Sequence, residues 1–179
     1  MSGRMKQSLT PEENKKEFIK ALEKGWFEDV PFWLLSGEVD PNCIFGVKKG
    51  FLVRIFSRRQ AVFLLKIFKE NGLQLNGTDV EGISLLEIAI CQRDSSLFRE
   101  LLELGVEVNI QTSEKKSALL LSVEYAAVTK KFYGIEFVED LLRRGAKPGK
   151  DFPSLKGEDF LKSPSVLAKE LCQLIADNK

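Results

Sequence analysis

The stretches NGLQLN (71–76) and LGVEVN (104–109) end alike and stand 33 residues apart. Gly72 corresponds to Gly105, Asn76 to Asn109 and Leu64 to Leu97, with no gap between the copies. An earlier ending, LLSGEVDPN, is slightly longer and places Asn42 one residue and Gly37 two residues further back than the period requires. A later one, LLRRGAKPG, places Gly145 after 40 residues, and the extra length best fits AVTKKFYG, between the two helices of that unit. An ending that recurs in phase constrains the fold more than composition does. Each copy is one supersecondary unit that cannot bury its apolar face alone, and stacked copies can.

Within a unit the apolar spacing is helical. In ISLLEIAICQRDSSLFRELLELGVEVN (83–109), Leu85, Leu86, Ile88, Ala89 and Ile90 predict a short apolar helix. Leu97, Phe98, Leu101, Leu102 and Leu104 predict a second, amphipathic one. Asp94, Ser95 and Ser96 break the first and cap the second. Gly105 closes the second helix in the left-handed conformation. The same reading makes Gly37, Gly72 and Gly145 the ends of the other second helices.

The run Asp79-Val80-Glu81-Gly82-Ile83-Ser84-Leu85-Leu86-Glu87, followed by LxxLLxxGxxVN, resembles the ankyrin repeat, whose pattern there is D-x-x-G-x-T-P-L-H. Ala21 and Gly25, with the ending Asp40-Pro41-Asn42, are similar to an opening repeat of that family. The resemblance implies an all-α, ankyrin-repeat-like solenoid of helix-turn-helix units over 10–42, 43–76, 77–109 and 110–148. A flexible N-terminus (1–9) precedes it and a C-terminal capping segment (149–179) follows. The helices expected over 11–24 and 164–177 are the two caps, the latter with Ser163 before Pro164 and a stripe of Val166, Leu167, Leu171, Leu174 and Ile175. The chain departs from the family where Leu85 replaces Pro, Glu87 replaces His and Ile90 replaces the second Ala. The family's His ties neighbouring repeats together, so stitching between repeats is what the Glu87 departure puts at risk.

Composition closes several routes to catalysis. The 179 residues contain no histidine, which removes imidazole bases, Ser-His and Cys-His pairs and His metal ligands. Cys43, Cys91 and Cys172 are far apart and odd in number, which reads as packed, reduced thiols. Neither a P-loop nor a G-x-G-x-x-G loop is present, so no cofactor is expected. Lys plus Arg is 27 against 26 for Asp plus Glu, a balance with no global pull toward nucleic acid or membrane. No stretch approaches the roughly 18 apolar residues of a membrane span. The start, MSGRMKQSLTPEENKKEF, has no apolar leader segment and does not match the M-G of myristoylation. The expectation is a cytoplasmic protein that is monomeric alone, in host cytoplasm if it is a secreted effector; the divergent units suit a bacterial or viral protein aimed at host proteins.

The resemblance also implies that a partner protein meets the turns between repeats and the inner face of the first helices. Carried over position by position, that surface is Val80, Glu81, Ile83, Cys91 and Gln92 in the third unit. It is Val47, Lys48, Arg58 and Arg59 in the second, and Ser113, Glu114, Lys116, Glu124 and Tyr125 in the fourth. In the first unit only Glu23 and Lys24 can be placed. The second unit is the most unusual, because Lys48, Lys49, Arg54, Arg58 and Arg59 lie together with no acidic residue among them. An acidic partner segment would suit such a patch; a solvated face with long aliphatic stems is the plainer alternative. Trp26, Phe27, Phe32 and Trp33 read as core, with an exposed aromatic anchor as the alternative. Tyr133 and Phe132, in the insertion TKKFYGIEF (129–137), are further contact candidates.

These readings predict a protein-interaction module without catalysis. One rival is a permanent inhibitory or structural subunit of an enzyme, marked by a broad apolar patch. The other is a carboxylate enzyme built around Glu124 or Glu139, marked by a concave site with convergent polar groups.

Overall fold

A computed structural model describes residues 9–57, 59–128 and 134–147, together with residues 166, 168–171 and 173. The described residues are mostly α-helical and include no β-strand; an isolated bridge pairs Gln111 with Ser117. The chain divides into two compact units, Met1–Val80 and Glu81–Lys179.

The first unit holds α1 (Pro11–Lys24), α2 (Val30–Leu35), a 3-10 helix (Pro41–Gly46), α3 (Phe51–Phe56) and α4 (Ala61–Glu70). α1 begins where the sequence signals it. Pro11 needs no amide partner at the first turn, the Glu13 amide donates to Thr10 Oγ1 (3.3 Å), and the Thr10 amide donates to Glu13 Oε2 (2.8 Å). That bond from the Thr10 amide holds the Glu13 carboxyl below the usual carboxylate range. α1 packs on α2 and α3, and α3 on α4. The core between them is aromatic: Phe18, Phe51, Phe56 and Phe68 are fully buried, with the Phe18 and Phe68 rings edge to face at 6.1 Å. Each such side chain contributes roughly 1.5–3 kcal/mol by leaving water.

The second unit holds α5 (Leu85–Gln92), α6 (Ser95–Glu103), α7 (Ala118–Val128) and α8 (Ile135–Arg143). Leu85, Leu86, Ile88, Ala89 and Ile90 are all buried, so α5 is covered on every side up to its last turn, where Cys91 is half-buried and Gln92 exposed. It packs on α6 and α7, and α7 packs on α8. Ser84 Oγ accepts from the Glu87 amide (3.1 Å), and Asp94 Oδ1 accepts from the amides of Ser96 and Leu97 (3.0 and 2.9 Å). These caps satisfy amides that the first helical turn cannot. Phe98 stacks on Phe137 with ring centroids 4.4 Å apart, which anchors the described end of the 129–137 insertion in the core.

Gly37, Gly72, Gly105 and Gly145 each stand two residues beyond the last residue of α2, α4, α6 and α8, with φ between 70 and 98°. Only glycine reverses the chain there without Cβ strain. The asparagines that close two of the endings make the same pair of bonds. Asn42 donates to the Gly72 carbonyl (3.1 Å) and accepts from the Gln74 amide (2.8 Å). Asn109 donates to the Gly145 carbonyl (3.3 Å) and accepts from the Lys147 amide (3.0 Å). Each asparagine therefore satisfies the orphan backbone of the following hairpin's end.

Three expectations are corrected. The stretch FLVRIFSRR (51–59) reads as the first helix of the repeat over 43–76, but α3 stops at Phe56 with Ser57 at its C-cap, so Arg59 sits in the turn before α4. The aromatic quartet is not a core cluster: Phe27 is buried and Trp33 half-buried, but Trp26 and Phe32 are 53% and 56% exposed. The short α2 turns one side inward, through Val30 and Leu34, and leaves Phe32 and Leu35 exposed. Of the C-terminal helix expected over 164–177, the described residues are helical, with Ala168 and Leu171 buried, but Val166 is exposed rather than part of a buried stripe. Ser163, Pro164, Leu167, Leu174 and Ile175 lie outside the described residues.

Candidate partner-binding surfaces

In the second unit the surface is built from two turns and two helix ends. Glu87, on α5 and buried, reaches the following turn: the Ser113 amide and hydroxyl donate to its carboxylate at 2.9 and 2.6 Å. The Glu87 carboxylate therefore ties one hairpin to the turn of the next as a double acceptor. Gly82 and Lys115 occupy the same register and both have positive φ, 81 and 62°. An ideal Cβ on Gly82 would lie 3.9 Å from the Ser113 Cα, so the two turns adjoin.

The turn tips differ in how they meet water. Glu114 is exposed, and Glu81, Ile83 and Lys116 are half-buried. The Lys116 ammonium bridges Glu124 (2.8 Å) on α7 and Glu114 (3.0 Å), and the bond to Glu124, then that to Glu114, pushes its pKa up. Tyr125, half-buried on α7, is hydrogen-bonded to Cys91 on α5. That bond and burial push the phenol up to about 12. Burial also pushes the Cys91 thiol up, which keeps it protonated and unreactive. Arg93 holds its guanidinium 5.8 Å from the Tyr125 ring centroid. It is the left-handed C-cap of α5 (φ 54°), next to exposed Gln92. Arg93 and Tyr125, with Ile90, Ser95, Ser122 and Phe137, line a small cavity of about 70 Å³.

The structure thus joins Glu114, Lys116 and Glu124 in one charge network, and Cys91 and Tyr125 in a second cluster completed by Arg93. Arg93 was not among the residues expected from sequence; its signal is an arginine at the helix end before the capping Asp94. The two carboxylates considered for catalysis are both in ion pairs, Glu124 with Lys116 and Glu139 with Arg143 (2.9 Å).

In the first unit the basic patch contains an acid that sequence distance concealed. Exposed Lys48 pairs with Glu23 of α1, and the Lys48 bond, with Arg54 and Lys24 nearby, holds the Glu23 carboxyl below its usual range. The repulsion expected among the cations is therefore partly relieved inside the protein. Arg54 and Arg59 are exposed; Arg58 and, in the insertion, Phe132 and Tyr133 lie outside the described residues. Val80 is 59% exposed. An open cleft that the sequence did not signal runs between the α1–α2 turn and the start of α4, with an empty volume of about 970 Å³, lined by Gly25, Trp26, Phe27, Glu28, Asp29, Gln60 and Phe63.

Among the described residues no group of three or more His, Cys, Asp or Glu is placed to hold a metal ion, and no helix is long and apolar enough to cross a membrane. No protein-family model matches this chain, and no curated protein matches it significantly.

Proposed function

We propose that this chain is a non-catalytic binding module of the ankyrin-repeat kind, a short solenoid that presents its turns and the adjoining ends of its first helices to another protein. The observation that carries this reading is the Glu87–Ser113 pair of bonds. A buried carboxylate fixes the turn from inside, while Glu114 and Lys115 at its tip remain exposed. A surface that is rigid before contact loses little conformational freedom on binding. Glu114, Lys116, Glu124, Tyr125 and Gln92 are the contact residues of the second unit, and Lys48, Arg59 and Val80 those of the first. The mixed charge of Glu114, Lys116 and Glu124 suits specificity and orientation more than raw affinity. The location consistent with this role is the cytoplasm, the host's if the protein is a secreted effector.

The test is site-specific photo-crosslinking in cells that express the protein. A benzophenone amino acid at Glu114 or Gln92 should trap one adduct of common mass, and the same group at exposed Arg99 on α6 should trap none. Adducts at Arg99 alone would overturn the assignment. A second reading, a permanently docked subunit of an enzyme, draws on the exposed Trp26, Phe32, Leu35 and Phe63. It requires a partner that co-purifies in equal amount without crosslinking.

A further inference from the structure

The cleft on the first unit differs in kind from the turn surface. Two of its lining residues are large aromatics left half in water, Trp26 at 53% and Phe63 at 50% exposure, with buried Phe27 beside them. Among the described residues, the charged ones that line it are acidic, Glu28 and Asp29. Both are exposed, and neither makes an ion pair among the described residues. Asp29 precedes α2 without capping it through its side chain, so its carboxylate is not used by the fold there. Lys24 and Arg59 flank lining residues Gly25 and Gln60 in sequence and are exposed, yet neither reaches Glu28 or Asp29 in an ion pair.

Aromatic faces beside free carboxylates are complementary to one side chain above others. Arginine lays its planar guanidinium and aliphatic stem on a ring while its donors meet a carboxylate. The geometry points to this cleft as a docking site for an arginine-bearing, basic segment of a partner protein. The guanidinium lies between the Trp26 and Phe63 side of the cleft and the carboxylates of Glu28 and Asp29. This site selects the opposite charge from the basic patch around Lys48.

The test uses a defined probe. The peptide Gly-Leu-Arg-Arg-Leu-Gly, acetylated and amidated, is titrated into the full chain in a Trp33→Phe background, where Trp26 is the remaining tryptophan. Two control peptides replace both arginines, one with citrulline and one with glutamate. Saturable change in Trp26 fluorescence is expected with the arginine peptide, about tenfold or more weaker binding with citrulline, and none with glutamate. Glu28→Gln with Asp29→Asn should weaken the arginine peptide to the citrulline level. Equal binding of the arginine and citrulline peptides, binding of the glutamate peptide, or no response at millimolar arginine peptide would each overturn the proposal. The citrulline comparison needs no further variant, so it decides the matter even if the double amide variant misfolds. Self-association in sedimentation velocity that Trp26→Asp abolishes would assign the cleft to a second copy of the chain and overturn it as well. A failure here leaves the crosslinking result at Glu114 and Gln92 untouched.

Discussion

The second helices of the two units end on the same glycine geometry but face water differently. α2 and α4 expose Phe32, Leu35 and Phe63, and neither is capped by a side chain at its N-terminus. α6 and α8 expose Arg99, Glu103 and Arg143, α6 is capped by Asp94, and Arg143 and Arg144 pair with Glu139, Asp140 and Glu103. Both sets bury an apolar stripe equally well, so the outer positions are not decided by the core. In the second unit they follow the polar patterning of a surface helix. In the first unit three large apolar side chains stand at such outer positions, half or more exposed. The difference teaches that the inner stripe is set by the core, while the outer face is free to vary, and the contact role proposed for it can be tested separately.

Substitutions can break or sharpen that contrast. The largest effect should come from the inner stripe: Leu101→Ala, at a fully buried site on α6, should cost about 2–5 kcal/mol in urea unfolding. A loss below half the lower bound would mean that the inner face has been misplaced. Glu87→Ala removes both bonds to Ser113 and should cost about 1–3 kcal/mol, with Glu87→Gln recovering part of it because an amide can still accept one bond. If the glutamine variant is no better than the alanine one, the ionised acceptor matters more than the bond count. Lys115→Gly should stabilise by about 0.5–1 kcal/mol, because a left-handed residue with a Cβ is replaced by one without, as at Gly82. On the outer face of the first unit, Phe63→Ser should change stability by less than about 0.5 kcal/mol.

A pH titration of a single variant addresses the second unit. Tyr125 has a folded pKa of about 12, above the ordinary phenol value near 10. The folded state thus holds this proton more tightly than the unfolded chain does. The associated stability is complete below about pH 10 and is lost as pH rises toward 12. Tyr125→Phe should flatten the fall in melting temperature over that window. An unchanged slope would show that the Cys91 contact does not persist in solution.

Much of the hairpin plan could be read from residue order, because its signals are local. The glycine after each second helix, the Ser84 and Asp94 caps and the Thr10–Glu13 box all act within a few residues of themselves. What could not be read depends on distance or on depth. Glu23 neutralises Lys48 from 25 positions away, and Glu87 finds Ser113 across 26. Neither pairing has a local spacing that marks it. The depth of an aromatic is equally silent: Trp26, Phe27, Phe32 and Trp33 are neighbours of one chemical type, and only the placement of a short helix and its preceding turn buries Phe27 and exposes Trp26. The cleft was missed for the same reason, since Phe63 joins Trp26 there only through the packing of the first unit.

The central claim, that the exposed apolar residues of the first unit serve contact and not folding, is tested most directly by one variant: Trp26→Ser, Phe32→Ser and Phe63→Ser combined in the full chain. Its thermal unfolding should be followed by circular dichroism beside that of the unaltered protein. The account predicts a melting temperature within about 5 °C of the original, together with loss of arginine-peptide binding in titration calorimetry, since the Trp26 signal is gone in this variant. A fall well beyond that margin would show that these side chains hold the first unit together, and the contrast between the two outer faces would then be one of packing and not of purpose.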